Sequence, residues 1–360
     1  MAVPSARRAR RQPTSPRSLT TALAAIVLAV AACTSGASTP PSAPAPSISA
    51  VPVATASPSP SPSAAPAFPT TLTDDEGTAV KLAAEPRKIV SLTPSATETL
   101  FALGVGDRVV GKVEDLSLYP PEAGAIPDVA KFGTVDVEKI VSLGTDLVIA
   151  GGNSFNPPDK IAQLRTLGVP VLVLYAPDIP TVFTDIELIG AAVGKAPEAK
   201  DLTTSMQAGF DQIQAATTGL PKPRVFYELD ASQKIYTAAD KSFLAAMIEL
   251  AGGDPITTGS TTNFEIPLET LITKDPEIIL LGDAAYGTTV DVVIARPGWR
   301  VMAAVKAKAI KPVDDVVITR PGPRLVEGLR ALAAAIHPEA NLPSAAPASS
   351  PAAASASATP

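Results

Sequence analysis

The chain of 360 residues contains one cysteine, Cys33, and one histidine, His337. That supply excludes Cys-rich zinc sites and multi-histidine sites for zinc or manganese. It also removes Ser-His-Asp and Cys-His catalysis unless His337 is itself the base. His337 stands beside Pro338 at the end of the last expected helix, and a surface position is expected for it. Aromatic residues make up only 4% of the chain, so the place of each is informative. There is no basic run beyond residues 7–17, no Gly-rich phosphate loop and no nucleophile elbow. Acids outnumber bases 35 to 29, which disfavours a nucleic-acid partner. No enzyme chemistry and no cofactor are expected from this inventory.

What the chain has begins with Arg7, Arg8, Arg10, Arg11 and Arg17, followed by an apolar run from Leu19 to Ala32. A charged start, a short apolar core and small residues describe an export signal. The apolar run of about 14 residues is too short for a bilayer core that needs about 20. Its end, Leu28-Ala29-Val30-Ala31-Ala32-Cys33, resembles the lipobox of bacterial lipoproteins. The resemblance implies cleavage before Cys33 and lipid on its sulfur, and so an extracytoplasmic protein held on the outer face of the cell membrane. Loss of residues 1–32 removes five arginines and no acid, which takes the net charge from −6 to −11. Residues 33–69 are almost wholly Ser, Pro, Ala and Thr and are expected to form a disordered, semi-rigid tether. Residues 339–360 have the same character.

Between these ends, short apolar strands alternate with helical segments. Lys88–Leu92, Val109–Gly111, Leu147–Ala150 and Val171–Leu174 read as buried strands. Ser95–Leu103, Val137–Leu143 and Asp159–Leu167 read as helices. Strands of continuous apolar character separated by helices predict a parallel α/β sheet. The alternation resumes at Arg224–Leu229 and ends in a helix near Pro323–Ile336. The gap from Ile179 to Thr218 shows no strand signal. After Pro197, Leu202, Met206, Phe210 and Ile213 recur at helical spacing until Gly219 and Pro221. The expected organisation is an N-terminal α/β lobe over 70–177, linker helices over 178–220 and a C-terminal α/β lobe over 221–338. The two lobes would be joined by a single long helix.

The halves repeat one another. Leu103-Gly104-Val105-Gly106-Asp107 matches Leu250-Ala251-Gly252-Gly253-Asp254 in place. Glu138 precedes the strand-opening Asp146 by the same eight residues that separate Glu269 from Glu277. The run from Arg87 to Glu98, the Tyr119-Pro120-Pro121-Glu122-Ala123 segment and Arg320-Pro321-Gly322-Pro323-Arg324 resemble the substrate-binding proteins of bacterial ABC importers for iron complexes and cobalamin. That resemblance implies two Rossmann-like lobes with a ligand cleft between them, and as partners a permease and, through it, an ATPase. It also implies one docking glutamate per lobe, at Glu138 and Glu269. A monomer is expected.

The ligand is expected to be a bulky metal complex: a cobalamin-like corrinoid ahead of a ferric siderophore, and haem last. Haem binders of the family place a tyrosine and an arginine where this chain has Lys131 and Gly133, whereas Phe132 suits the aromatic that faces a corrin. Tyr119, Phe132, Phe155, Phe264, Tyr286 and Trp299 all fall in loops next to strands or helices, where ligands of α/β sheets bind. With Asn153 of the Gly151-Gly152-Asn153-Ser154 segment and with Arg296, they form the expected ligand-binding set. The Gly151-Gly152 segment is also expected to offer backbone N–H groups to the ligand. A surface lipoprotein that uses the same fold for sensing or adhesion is the alternative.

Overall fold

The structure is a computed structural model, and it describes residues 68–117, 119–152 and 155–344. The expected Cys33 anchor, the tether up to residue 67, Asn153 and most of the tail lie outside the described residues. A hairpin of β1 (Thr70–Thr73) and β2 (Ala79–Leu82) comes first and turns at Asp74, whose carboxylate accepts from the N–H groups of Glu76 and Thr78.

The N-terminal sheet is built from β3 (Ile89–Ser91), β4 (Val109–Val113), β5 (Asp128–Lys131), β6 (Thr134–Val135), β7 (Leu147–Gly151) and β8 (Val171–Leu174). Its order is β6-β5-β4-β3-β7-β8, parallel except for the edge strand β6. Between the strands run α1 (Pro94–Ala102), α2 (Val137–Ser142) and α3 (Pro158–Thr166). Thr93 and Asp136 cap the first two by accepting from the Ala96 and Lys139 N–H groups. Each cap satisfies a donor that the first helical turn leaves free.

Two helices follow, α4 (Ile179–Ala192), capped by Asp178, and α5 (Ala196–Thr217). The 22 residues of α5 give it a length of about 33 Å. This is the expected long helix, but it is paired: α4 packs along α5 and also against α1, while α5 packs against the last helix of the chain. The connection is the expected long helix α5, with α4 folded against it as a helical hairpin.

The C-terminal sheet holds β9 (Arg224–Glu228), β10 (Asp254–Pro255), β11 (Ile278–Leu281) and β12 (Ile310–Pro312), all parallel, in the order β10-β9-β11-β12. Its helices are α6 (Phe243–Leu250), α7 (Leu268–Lys274), α8 (Val290–Ala295), α9 (Ala303–Ala307), α10 (Asp315–Thr319) and α11 (Leu325–Ile336). The order repeats β4-β3-β7-β8 of the first sheet. The acids that mark the repeat have a common job. Asp146 accepts from the N–H groups of Arg87 and Lys88 before β3, and Glu277 accepts from the Arg224 N–H at the start of β9.

Strand residues alternate between two faces. Ile89, Leu147 and Ile149 join a cluster that runs through Ile186 and Phe210 of the hairpin to Leu329 and Val225 of the second lobe. Val90 and Val148 face α2 and α3, while Phe226 and Ile279 face a third cluster. One continuous apolar core thus ties both sheets to the connecting helices. His337 follows α11 as expected but is buried: a Cβ on Gly252 would lie 2.8 Å from its Nε2, which stands 3.1 Å from the Gly252 oxygen. The surface position is corrected, because the repeat's Gly-Gly turn leaves room for the ring.

Candidate functional site

The parallel strands of the N-terminal sheet end at one edge. The loops that leave this edge, together with α4 and residues 319–321 of the C-terminal part, enclose a cleft of about 630 Å³. Thr93 and Ser95 enter it from the loop after β3, Phe132 from the loop after β5, and Phe155 from the loop after β7. Tyr175 enters after β8, and Asp185 and Ile186 form the α4 wall. Carboxyl ends of strands are where open α/β sheets hold ligands.

Phe132 is 83% exposed and Phe155 36%. Their rings meet edge to face with centroids 5.8 Å apart. Gly151 and Gly152 allow this wall to form. A Cβ on Gly151 would lie 2.9 Å from the Phe155 ring, and one on Gly152 would lie 2.5 Å from the Tyr175 ring. The backbone N–H groups of these glycines are not offered to a ligand. Gly151 donates to Asn156 Oδ1 at 2.6 Å and Gly152 to the Leu174 carbonyl at 3.0 Å. That part of the sequence reading is corrected: the glycines serve close packing and strand continuation.

The acidic and basic side chains among the described lining residues are Arg320 and Asp185. Arg320 donates to Glu98 Oε1 at 2.6 Å and to both oxygens of Asp115 at 3.0 Å. Arg324 donates to the same Glu98 and stacks on Tyr119, its guanidinium 3.7 Å from the ring centroid. Glu98 is buried on α1, so this network joins the first lobe to the segment between α10 and α11. Burial pushes the Asp115 carboxyl up, but hydrogen bonds from Arg320 and Ser117 outweigh it and hold the group below the usual range. Asp185 is pushed up to about 8, first by burial and then by the charge of Asp75, to which it is hydrogen-bonded. Asp75 is itself fixed by accepting from the Tyr175 N–H at 2.6 Å.

The remaining expected residues are dispersed. Tyr119 lies half-buried under Arg324, not among the cleft-lining residues. Phe264, on a C-terminal-lobe loop, and Tyr286, at the end of the 3-10 turn Gly282–Tyr286, are 44% and 83% exposed and stand outside the lining. Trp299 and Arg296 are corrected. Trp299 is 3% exposed and packs edge to face on Phe226 in the third core cluster. Arg296 donates to both oxygens of the buried Glu228, at 2.6 and 2.7 Å, and lies over the Trp299 ring. Its guanidinium is consumed by structure. Glu138 and Glu269 are exposed in the first turns of α2 and α7, in no ion pair among the described residues. Tyr175, Thr93 and Asp185 escaped the sequence reading. The first two follow strand ends and were within its logic; Asp185 sits mid-helix and had no signal.

Comparison with known proteins places these features. The sequence matches the family model described as periplasmic binding protein over residues 89–316. It is 34% identical over 277 residues to an uncharacterized ABC transporter substrate-binding lipoprotein, YvrC, of Bacillus subtilis, covering 76% of this chain and 87% of that one. A cobalamin-binding protein of Halobacterium salinarum is 32% identical over 61% of this chain and 60% of its own length. Among solved structures, the periplasmic haem-binding protein RhuT from Roseiflexus superposes with a TM-score of 0.62 at 27% identity, covering 70% of this chain and 98% of the other. With two parallel α/β lobes, a helical connection and a cleft at the strand ends, the chain belongs to the periplasmic binding protein family.

Proposed function

We propose that this protein captures a bulky metal complex in its cleft, a corrinoid ahead of a ferric siderophore or haem, and delivers it to an ABC permease. The observation that carries this reading is the pair of exposed, edge-to-face rings of Phe132 and Phe155 on the wall of a roomy cleft. Exposed aromatic faces beside hydroxyl groups suit a large ligand with an apolar face and polar edges. The cobalamin-binding relative and the lack of a tyrosine at Lys131 support a corrinoid over haem. Glu138 and Glu269 stand at equivalent places of the internal repeat, which suits two symmetry-related basic pockets on a permease. Lipid on Cys33 would keep the protein beside that permease.

Titration of the full-length chain by calorimetry with cyanocobalamin, cobinamide, haemin and ferric hydroxamate tests the reading. Binding of a corrinoid at micromolar affinity or tighter, weakened at least about tenfold by F132A, is expected. No binding by any of the four contradicts it. Trp299 is no reporter for this purpose, being buried in the core away from the cleft lining.

A further inference from the structure

We propose that the cleft is built as a charge filter that admits uncharged metal complexes and rejects anionic ones, with Asp115 and Glu98 as its specificity-determining residues. The inference rests on the reading of this cleft as the ligand site and adds the ligand's charge class.

The cation on the cleft wall is answered by acids. Arg320, the only cation among the described lining residues, is held by Glu98 and by both oxygens of Asp115. Arg324 shares Glu98, so two guanidinium groups meet two carboxylates and the network has no net charge. Lys131, beside Phe132, lies 3.7 Å from Glu114. At the corresponding edge of the second sheet, Arg296 is spent on Glu228, while Asp283, Asp314 and Asp315 add further carboxyl groups. Among the described lining residues an anionic ligand would find no unpaired cation, because the Arg320 charge is already answered by Glu98 and Asp115. The remaining polar side chains among the described lining residues are the hydroxyls of Thr93, Ser95, Thr99, Tyr175 and Thr319 and the Asp185 carboxyl hydrogen-bonded to Asp75. These suit amides and hydroxyls, and to a carboxylate they offer hydrogen bonds but no compensating charge. Discrimination of this kind arises from unpaired and like charges as much as from favourable contacts.

The test titrates the full-length chain with two neutral probes, cyanocobalamin and a neutral ferric trihydroxamate, and two anionic ones, haemin and a ferric tris-catecholate. The wild-type protein is expected to favour a neutral probe over both anions by at least about tenfold, and its affinity should change little with added salt. D115N, which frees one side of the Arg320 guanidinium, should raise the anion-to-neutral affinity ratio by about tenfold or more. Should D115N fail to fold, the wild-type preference and its salt dependence still decide the matter. Tighter wild-type binding of an anionic probe, or a ratio unmoved in folded D115N, overturns the filter while leaving ligand capture standing. Failure of all four probes overturns ligand capture itself, and the filter with it.

Discussion

Arg296 and Trp299 show how a residue's partners decide its role. From sequence, a loop arginine beside the chain's one tryptophan reads as a ligand contact. In the fold, β9 ends on Glu228 with its side chain fully buried, and a buried carboxylate needs a paired cation. Arg296 supplies it, and Trp299 packs beneath the guanidinium. R296A is therefore expected to lower unfolding free energy by about 3–5 kcal/mol, because it strands a buried charge, and to leave ligand affinity little changed. Chemical denaturation beside a ligand titration checks both halves. A stable variant with lost affinity would return Arg296 to the binding set. The place of Phe132 and Phe155 on the cleft wall follows from their loops after β5 and β7. Scarcity of aromatics alone also picked Tyr119, Phe264, Tyr286 and Trp299, which do not line it. Asp115 and Glu98 were not legible, because their partners lie more than two hundred positions away in sequence.

Elements carried most of what sequence could reveal. Val171–Leu174 is read as a strand and is one, since its run of Val and Leu is buried on both faces. The pairing of α4 with α5 was not legible, because periodicity gives a helix's apolar face but not its neighbour. Asp185 of α4 stands on the cleft wall, where the charges of Asp75 and Asp178 act on it. Its carboxyl, pushed up to about 8, holds a proton in the folded state that the unfolded chain loses near pH 4. Its contribution to stability is thus full below about pH 4 and is lost as pH rises through about 8. D185N removes the titrating group with little change of shape. Wild type should lose at least about 1 kcal/mol more than D185N between pH 5 and pH 8.5 in urea denaturation. Equal losses would show that the site does not hold the proton.

At the scale of the whole molecule, two copies of one α/β plan are joined through a helical hairpin and a shared apolar core. The repeat was readable from Glu138–Asp146 and Glu269–Glu277, because the second acid of each pair binds the N–H at the opening of a neighbouring strand. The first acid of each pair has no such internal task and stays exposed. In the proposed account these two glutamates meet the permease while the cleft holds the ligand, so delivery and capture are separable. The most direct measurement is uptake of labelled cobalamin by cells that carry the cognate permease and either the wild-type protein or E138A/E269A, with ligand affinity of both purified proteins measured alongside. Loss of charged partners at a docking interface commonly costs about 2–5 kcal/mol, so uptake by the double variant should be close to abolished while its ligand affinity matches wild type. Normal uptake by E138A/E269A, or loss of its ligand affinity, would contradict the account.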